Sequence, residues 1–246
     1  MEYSRRTYRK LVQGKGMVSF PVLLKESDLL ISIDSGSFSG ELKKKSLSLL
    51  SGIRSDLEQY IARDEEFQWT LIPHRLLPGA PRIVRLMAAA AMRAGVGPMA
   101  AVAGAVAEVM GRELQRTARE VIVENGGDIY FKTEHPITTG IFAGKSPLSG
   151  KVSLRFSPRP SGCGVCTSSA TVGPSLSLGC TDAAIVISHS AALADAAAST
   201  LGNLVHREED ITPALEKVCK IRGVQGAVVI LGDKLGAIGD VELVSF

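Results

Sequence analysis

The segment Val121-Ile122-Val123-Glu124-Asn125-Gly126-Gly127-Asp128-Ile129-Tyr130-Phe131 constrains the fold of this chain more than any other. Two apolar runs flank Asn-Gly-Gly-Asp, and a tight turn between paired strands needs the positive φ that glycine adopts without steric cost. The pattern predicts a β-hairpin. Glu124, Asn125 and Asp128 set three polar side chains around two glycines, more than a turn needs. A residue without a Cβ also lets a ligand lie directly on the backbone. Two readings stand: a plain surface turn, or one wall of a binding site.

A second feature lies far along the chain, where Ser190 to Asn203 reads as a helix. Ser190 is its N-cap and Gly202 or Asn203 its stop. Alanine covers nearly every face between them, and a helix apolar all round is buried and closely packed. Asp195 therefore predicts a carboxylate inside a tight interior, which is costly unless paired, hydrogen-bonded or bound to a metal. Ser199 is four residues on and shares its face. One carboxylate and one hydroxyl are oxygen ligands of the kind that Mg²⁺ accepts while keeping waters or phosphates. An Asp195–Ser199 hydrogen bond inside a packing interface is the other reading.

These features sit in a chain whose element order predicts α+β architecture. Residues 17–24 and 28–33 read as strands, 40–62 as a helix with Leu42, Leu47, Leu50, Ile53, Leu57 and Ile61 on one face, and 73–81 as a connector. Helices are expected at 82–93 and 98–119, the second opening on Pro98. After the hairpin come strands at 137–143, 151–156 and 183–188, helices at 190–205 and 212–221, and a closing hairpin of 227–231 with 239–244. Strands, helices and strands thus occur twice, which predicts one domain, 1–246, built from two halves near 16–133 and 134–246. No residue-level repeat accompanies this.

Composition narrows the function classes. Hydrophobic residues make up 45% and charged residues 22%, ordinary for a globular protein. Arg5, Arg6, Arg9, Lys10 and Lys15 gather near the start, and Lys43 to Lys45 form a second basic run, but with 5% aromatics and no basic-aromatic interleaving they read as solvated surface. No nucleic-acid partner is expected. The first residues are polar and basic with no apolar core of a signal peptide, and no apolar stretch reaches bilayer length, so a cytoplasmic protein without a membrane partner is expected.

Three further stretches carry candidate chemistry. Gly95-Val96-Gly97-Pro98-Met99 leads into a helix whose first free amides attract anions, so Gly97, Pro98 and Met99 are candidates for a phosphate seat. Gly162-Cys163-Gly164-Val165-Cys166-Thr167-Ser168-Ser169 reads as a glycine- and hydroxyl-rich loop, in which Thr167, Ser168 and Ser169 could face a ligand. Its Cys-x-x-Cys has no second copy, and Cys180 and Cys219 stand apart, so reduced, metal-free thiols are expected. Of the histidines His74, His135, His189 and His206, His189 sits just before the Asp195 helix, and none forms a ligand pair. No nucleophile elbow, P-loop or dinucleotide fingerprint is present.

Asn125-Gly126-Gly127-Asp128 and Ala194-Asp195-Ala196-Ala197-Ala198-Ser199, together with the stretches 95–108 and 166–173, resemble the ApbE family of flavin transferases, and especially its shorter members. The resemblance implies two tandem ββααββ halves of the T-fold kind, which also pair through sheet edges, so a homodimer is possible. It implies a phosphorylated small-molecule ligand, FAD or FMN, and Mg²⁺ at Asp195 and Ser199. Glu124, Asn125, Gly126, Gly127 and Asp128 would orient the ligand, and the reaction would move FMN from FAD to a hydroxyl of a target protein. Two departures qualify it. Met99-Ala100-Ala101 stands where the family carries Ala-Lys-Gly with a flavin-contacting lysine, and Pro174, Leu178 and Cys180 replace His, Phe and Lys. A non-catalytic flavin-, pterin- or purine-binding or regulatory module is the alternative.

Overall fold

The computed structural model describes residues 16–172 and 177–246. The basic N-terminal residues singled out above, with Gly173 and Pro174, lie outside them. Strands β1 (Met17–Leu24) and β2 (Ser27–Asp34) open the chain. Helices α1 (Gly40–Ile61), α2 (Glu66–Trp69), α3 (Arg82–Ala94) and α4 (Val102–Leu114) follow, then β3 (Val121–Asn125) and β4 (Asp128–Thr133). The remainder runs β5 (Ile137–Gly140), β6 (Val152–Phe156), β7 (Arg159–Ser168), β8 (Ala183–Ser188), α5 (Ala191–Leu204), α6 (Ile211–Cys219), β9 (Val224–Leu231), β10 (Lys234–Gly239) and β11 (Glu242–Ser245).

The architecture is α+β in three layers. An eight-stranded antiparallel sheet runs β1-β2-β3-β4-β7-β8-β9-β10, and a small sheet runs β11-β6-β5. Helices cover one face of the large sheet, where Ile31, Val123, Tyr130 and Val186 pack against Met87, Met110 and Leu201. The small sheet covers the other face, where Ile122, Phe131 and Ile185 meet Leu154 and Phe156. The central strands are therefore buried on both sides. That is why β3 and β8 read as continuous apolar runs while the edge strand β1 alternates and tolerates Pro21.

Local signals explain most elements. The Ser39 hydroxyl accepts the Leu42 amide at 3.1 Å and starts α1, and Ser190 does the same for Leu193 at the start of α5. The helix read from Pro98 is in fact a 3₁₀ turn, Pro98–Ala101, followed by α4, which stops at Leu114.

Two expectations need correction. The cysteine-containing stretch read as a loop is β7, a ten-residue strand at the centre of the large sheet. Its glycines serve close packing: a Cβ on Gly162 would lie 2.2 Å from the Tyr130 hydroxyl, and one on Gly164 would lie 2.3 Å from Ala191 Cα. The closing hairpin pairs β9 with β10; residues 242–245, expected to pair with β9, cross instead to β6 in the small sheet. The short helix α2 was not anticipated. Cys163 and Cys166 are three positions apart on one strand, so they face opposite cores.

Candidate functional site

The β3–β4 hairpin ends at Gly126 and Gly127, both at positive φ (+70° and +107°), with Asn125 opposite Asp128. The Gly127 amide donates to Glu124 Oε1 at 3.1 Å, and the Asn125 amide donates through Nδ2 to the Ala103 carbonyl of α4 at 3.1 Å. These bonds hold the turn against the helix layer. Asp128 Oδ1 accepts the Thr167 amide of β7 at 3.2 Å. Helix α5 approaches closely because a Cβ on Gly104 would lie 2.3 Å from the Ala191 carbonyl oxygen and 2.7 Å from Asp195 Cβ. The short approach lets Asp195 Oδ2 accept the Gly104 amide at 2.9 Å.

A cleft of about 1140 Å³ runs over this hairpin, and Met99, Glu124, Asn125, Gly126, Gly127, Asp128, Thr167, Ser168, Ser169, Asp195 and Ser199 all line it. Residues expected from four separate stretches of sequence are thus brought to one space. On the helix side its wall is Ile53, Leu57, Val102 and Val106; on the small-sheet side it is Ile122, Ile141, Phe142 and Leu154. Gly97 and Pro98 are a correction, since neither is among the residues lining the cleft. Both are buried, and a Cβ on Gly97 would lie 1.9 Å from the Thr70 carbonyl oxygen. The backbone at Thr70–Leu71 occupies the place the glycine leaves. His189 lies elsewhere, exposed and 3.2 Å from Gln225 Nε2.

Electrostatically the cleft is acidic. Burial pushes the Asp128 carboxyl up to about 7, and the Glu124 charge adds to the rise, against the Cys166 thiol and the Thr167 amide. Asp195 is raised well above the ordinary carboxylate range, by burial first and then by the charge of Asp128. It is densely surrounded by protein yet keeps part of its surface open to the cleft. Neither carboxylate has a cation among its neighbours. Arg54 is the one cationic side chain among the described residues lining the cleft, and it is engaged by Ser27, Glu26 and Glu58 at 2.7, 2.6 and 2.9 Å.

The Asp195–Ser199 hydrogen bond of the alternative reading does not form. Asp195 takes the Gly104 amide, and the Ser199 hydroxyl has no hydrogen-bond partner among the described residues. No group of three or more His, Cys, Asp or Glu there could hold a metal ion by itself. The donor set is therefore two carboxylates and a hydroxyl, a partial oxygen shell that a bound ligand and water would complete. Sequence reading missed the Gly104 amide and the apolar walls. The only prior signal for them was small residues at 103–105 and the helical stripe through Ile53 and Leu57.

The model of the family described as AbpE bacteria matches residues 9–243. The chain belongs to this family. Among its relatives, a UPF0280 protein from Methanocella arvoryzae is 46% identical over 194 residues, covering 78% of this chain and 79% of its own. A UPF0280 protein from Methanocaldococcus jannaschii is 40% identical over 229 residues, 91% of each chain. Of solved structures, a mutant of the flavin transferase ApbE from Vibrio cholerae superposes with a TM-score of 0.61 at 12% identity, covering 91% of this chain and 97% of that one. The apo flavinyl transferase ApbE from Pseudomonas stutzeri gives 0.53 at 14% identity, covering 91% and 94%. At these identities the structures share the fold with this AbpE-family chain. Among its described residues no single helix is long and apolar enough to cross a membrane.

Proposed function

We propose that this AbpE-family protein binds a flavin nucleotide in the hairpin cleft together with a divalent cation, Mg²⁺. One observation carries the reading: the cleft gathers Asp128 and Asp195 without a cation, beside a hydroxyl, Ser199, that has no hydrogen-bond partner among the described residues. When ionised, these carboxylates repel a phosphorylated ligand, and the single lining arginine is already engaged. A divalent cation removes the conflict by answering both charges at once. Asp195, Ser199 and Asp128 would hold it, and when bound it supplies Lewis-acid polarisation of a phosphoryl oxygen.

The chain's own residues supply the rest. Gly126 and Gly127 let a phosphate or ring approach the turn without meeting a side chain, since nothing lies within 4 Å of where a Cβ would be. The Asn125 side chain braces that turn on α4, and the Thr167 amide holds Asp128 toward the site. The apolar walls exclude water and suit a heteroaromatic ring system. The volume, about 1140 Å³, lies just above the usual range of small-molecule sites and accommodates a dinucleotide such as FAD.

Transfer of FMN from FAD to a protein hydroxyl is the extension that the fold likeness supports. A specific observation favours the second reading, a non-catalytic flavin-binding module: among the described residues no lysine and no histidine lines the cleft, and the carboxylates there that could take the acceptor's proton, Asp128 and Asp195, are the ones that would hold the cation. The same proposal takes the chain as one domain of two halves, near 16–133 and 134–246. Incubating the protein with FAD and Mg²⁺ and following AMP release separates the two readings. AMP formation supports transferase chemistry; tight FAD binding without AMP supports the binding module; absence of FAD binding contradicts both.

A further inference from the structure

We propose a second ligand site, a polyphosphate-binding groove between the C-terminal ends of α3 and α6, independent of the flavin reading. The groove encloses about 430 Å³ and is lined by Arg93, Lys217, Lys220 and Arg222, with no acidic residue among its lining. All four side chains are exposed. None of them forms an ion pair or a side-chain hydrogen bond among the described residues. Elsewhere this chain spends its arginines differently: Arg54, Arg112 and Arg159 reach carboxylates at 2.6, 2.8 and 2.6 Å. Four like charges collected in one concave space repel one another, and a polyanion relieves that repulsion.

Helix ends alone do not account for the cluster. Arg93 and Lys217 stand in the last turns of α3 and α6, where the partial negative charge of free carbonyls favours a cation. Lys220 and Arg222 lie beyond α6, and among the described residues no side chain of the four donates to a carbonyl. The groove carbonyl with a side-chain partner, that of Ala94, is taken by the Thr200 hydroxyl at 2.8 Å. That bond ties α3 to α5, so the groove floor is fixed. Helix α5 presents Ser199 to the cleft and Thr200 to the groove, which makes the two sites neighbours across one helix with no shared lining residue. Two guanidinium groups offer paired donors to phosphoryl oxygens, and two ammonium groups add point charge. A compact anion with more than one phosphate matches this donor set better than a single carboxylate.

The test is calorimetric titration of the full chain with inorganic pyrophosphate, in Mg²⁺-free buffer containing a chelator. Saturable binding at one site is expected, weakening as salt is raised. A Lys217→Ala/Arg222→Ala variant should bind about ten-fold or more weakly, as expected for losing charge-assisted contacts. Lys44→Ala, at an exposed lysine of α1 that lines neither site, should bind as wild type does. If the double variant loses the wild-type melting temperature, Lys220→Ala alone serves and should still weaken binding. Sedimentation with phosphatidylserine vesicles distinguishes a lipid headgroup from a free ligand. Binding to vesicles without pyrophosphate binding, no saturable binding, or equal affinity in wild type and the charge variants would each overturn the proposal.

Discussion

The Asp195 carboxylate of α5 accepts the backbone amide of Gly104 in α4 at 2.9 Å, joining residues 91 positions apart. The bond exists because Gly104 has no side chain. A Cβ there would meet the Ala191 carbonyl oxygen at 2.3 Å and Asp195 Cβ at 2.7 Å, both fixed by α5. Gly104→Ala must therefore push the two helices apart. A destabilisation of about 1–3 kcal/mol is expected from overpacking, read by chemical denaturation, together with weaker Mg²⁺-dependent FAD binding. An unchanged midpoint would show that α4 and α5 are less tightly apposed than described.

Gly126→Ala offers a contrast. No atom lies within 4 Å of a Cβ there, but φ is +70°, so the cost is conformational alone. About 1–2 kcal/mol is expected for an L-residue in the left-handed region. Gly126→Asn, which tolerates that region better, should recover part of it. Equal stability of all three proteins would mean that the turn does not hold this geometry.

The pH dependence of stability should run opposite to that of most proteins between about pH 5 and 8. Asp128, buried and pushed up to about 7, binds its proton more tightly folded than unfolded, where its value is near 3.8. Such a group stabilises the folded state below its unfolded value, and that contribution is lost as pH rises toward 7. Asp195 is shifted in the same direction. Asp34, Asp64 and Glu120 are shifted down and act only at lower pH. Ligand-free protein should melt at a lower temperature at pH 8 than at pH 5, with a flatter profile in Asp128→Asn. Saturating Mg²⁺ should reduce the loss at pH 8 by answering the ionised pair. A melting temperature that rises across this interval in metal-free protein would contradict the buried carboxylate pair.

Thiol reactivity follows from strand geometry. Cys163 and Cys166 are buried on opposite faces of β7, and burial pushes Cys163 up to about 12. Cys180 is exposed. A thiol reagent should label Cys180 first in native protein, Cys219 more slowly, and the pair on β7 only after unfolding. Rapid native labelling of Cys163 or Cys166 would contradict the assignment of β7 to the sheet centre.

Legibility in the sequence followed the range of the forces involved. The β3–β4 hairpin and helix α5 were readable because their signals are local: Asn-Gly-Gly-Asp at a turn, Ser190 at a cap, alanine on every face. β7 was not readable, because Gly162 and Gly164 look like loop residues until Tyr130 and Ala191 are seen filling their places. The same blindness misplaced Gly97, whose missing side chain accommodates Thr70 and not an anion. The crossing of β11 to the small sheet is a tertiary choice with no local marker. Asp195 was recognisable as a buried carboxylate from its alanine surroundings, but its partner was not, since an amide 91 positions away leaves no trace in the helix itself.

The most direct measurement is FAD affinity by calorimetry, with and without Mg²⁺, on wild type and Asp195→Asn. The amide keeps the size of the side chain and an oxygen to accept the Gly104 amide, while removing the charge that a cation needs. Wild type should bind FAD at least about ten-fold more tightly with Mg²⁺ than without, a difference of about 1.4 kcal/mol. Asp195→Asn should fold normally and lose that Mg²⁺ enhancement. Equal FAD affinity in both proteins, with or without Mg²⁺, would contradict a metal-assisted flavin site in the hairpin cleft.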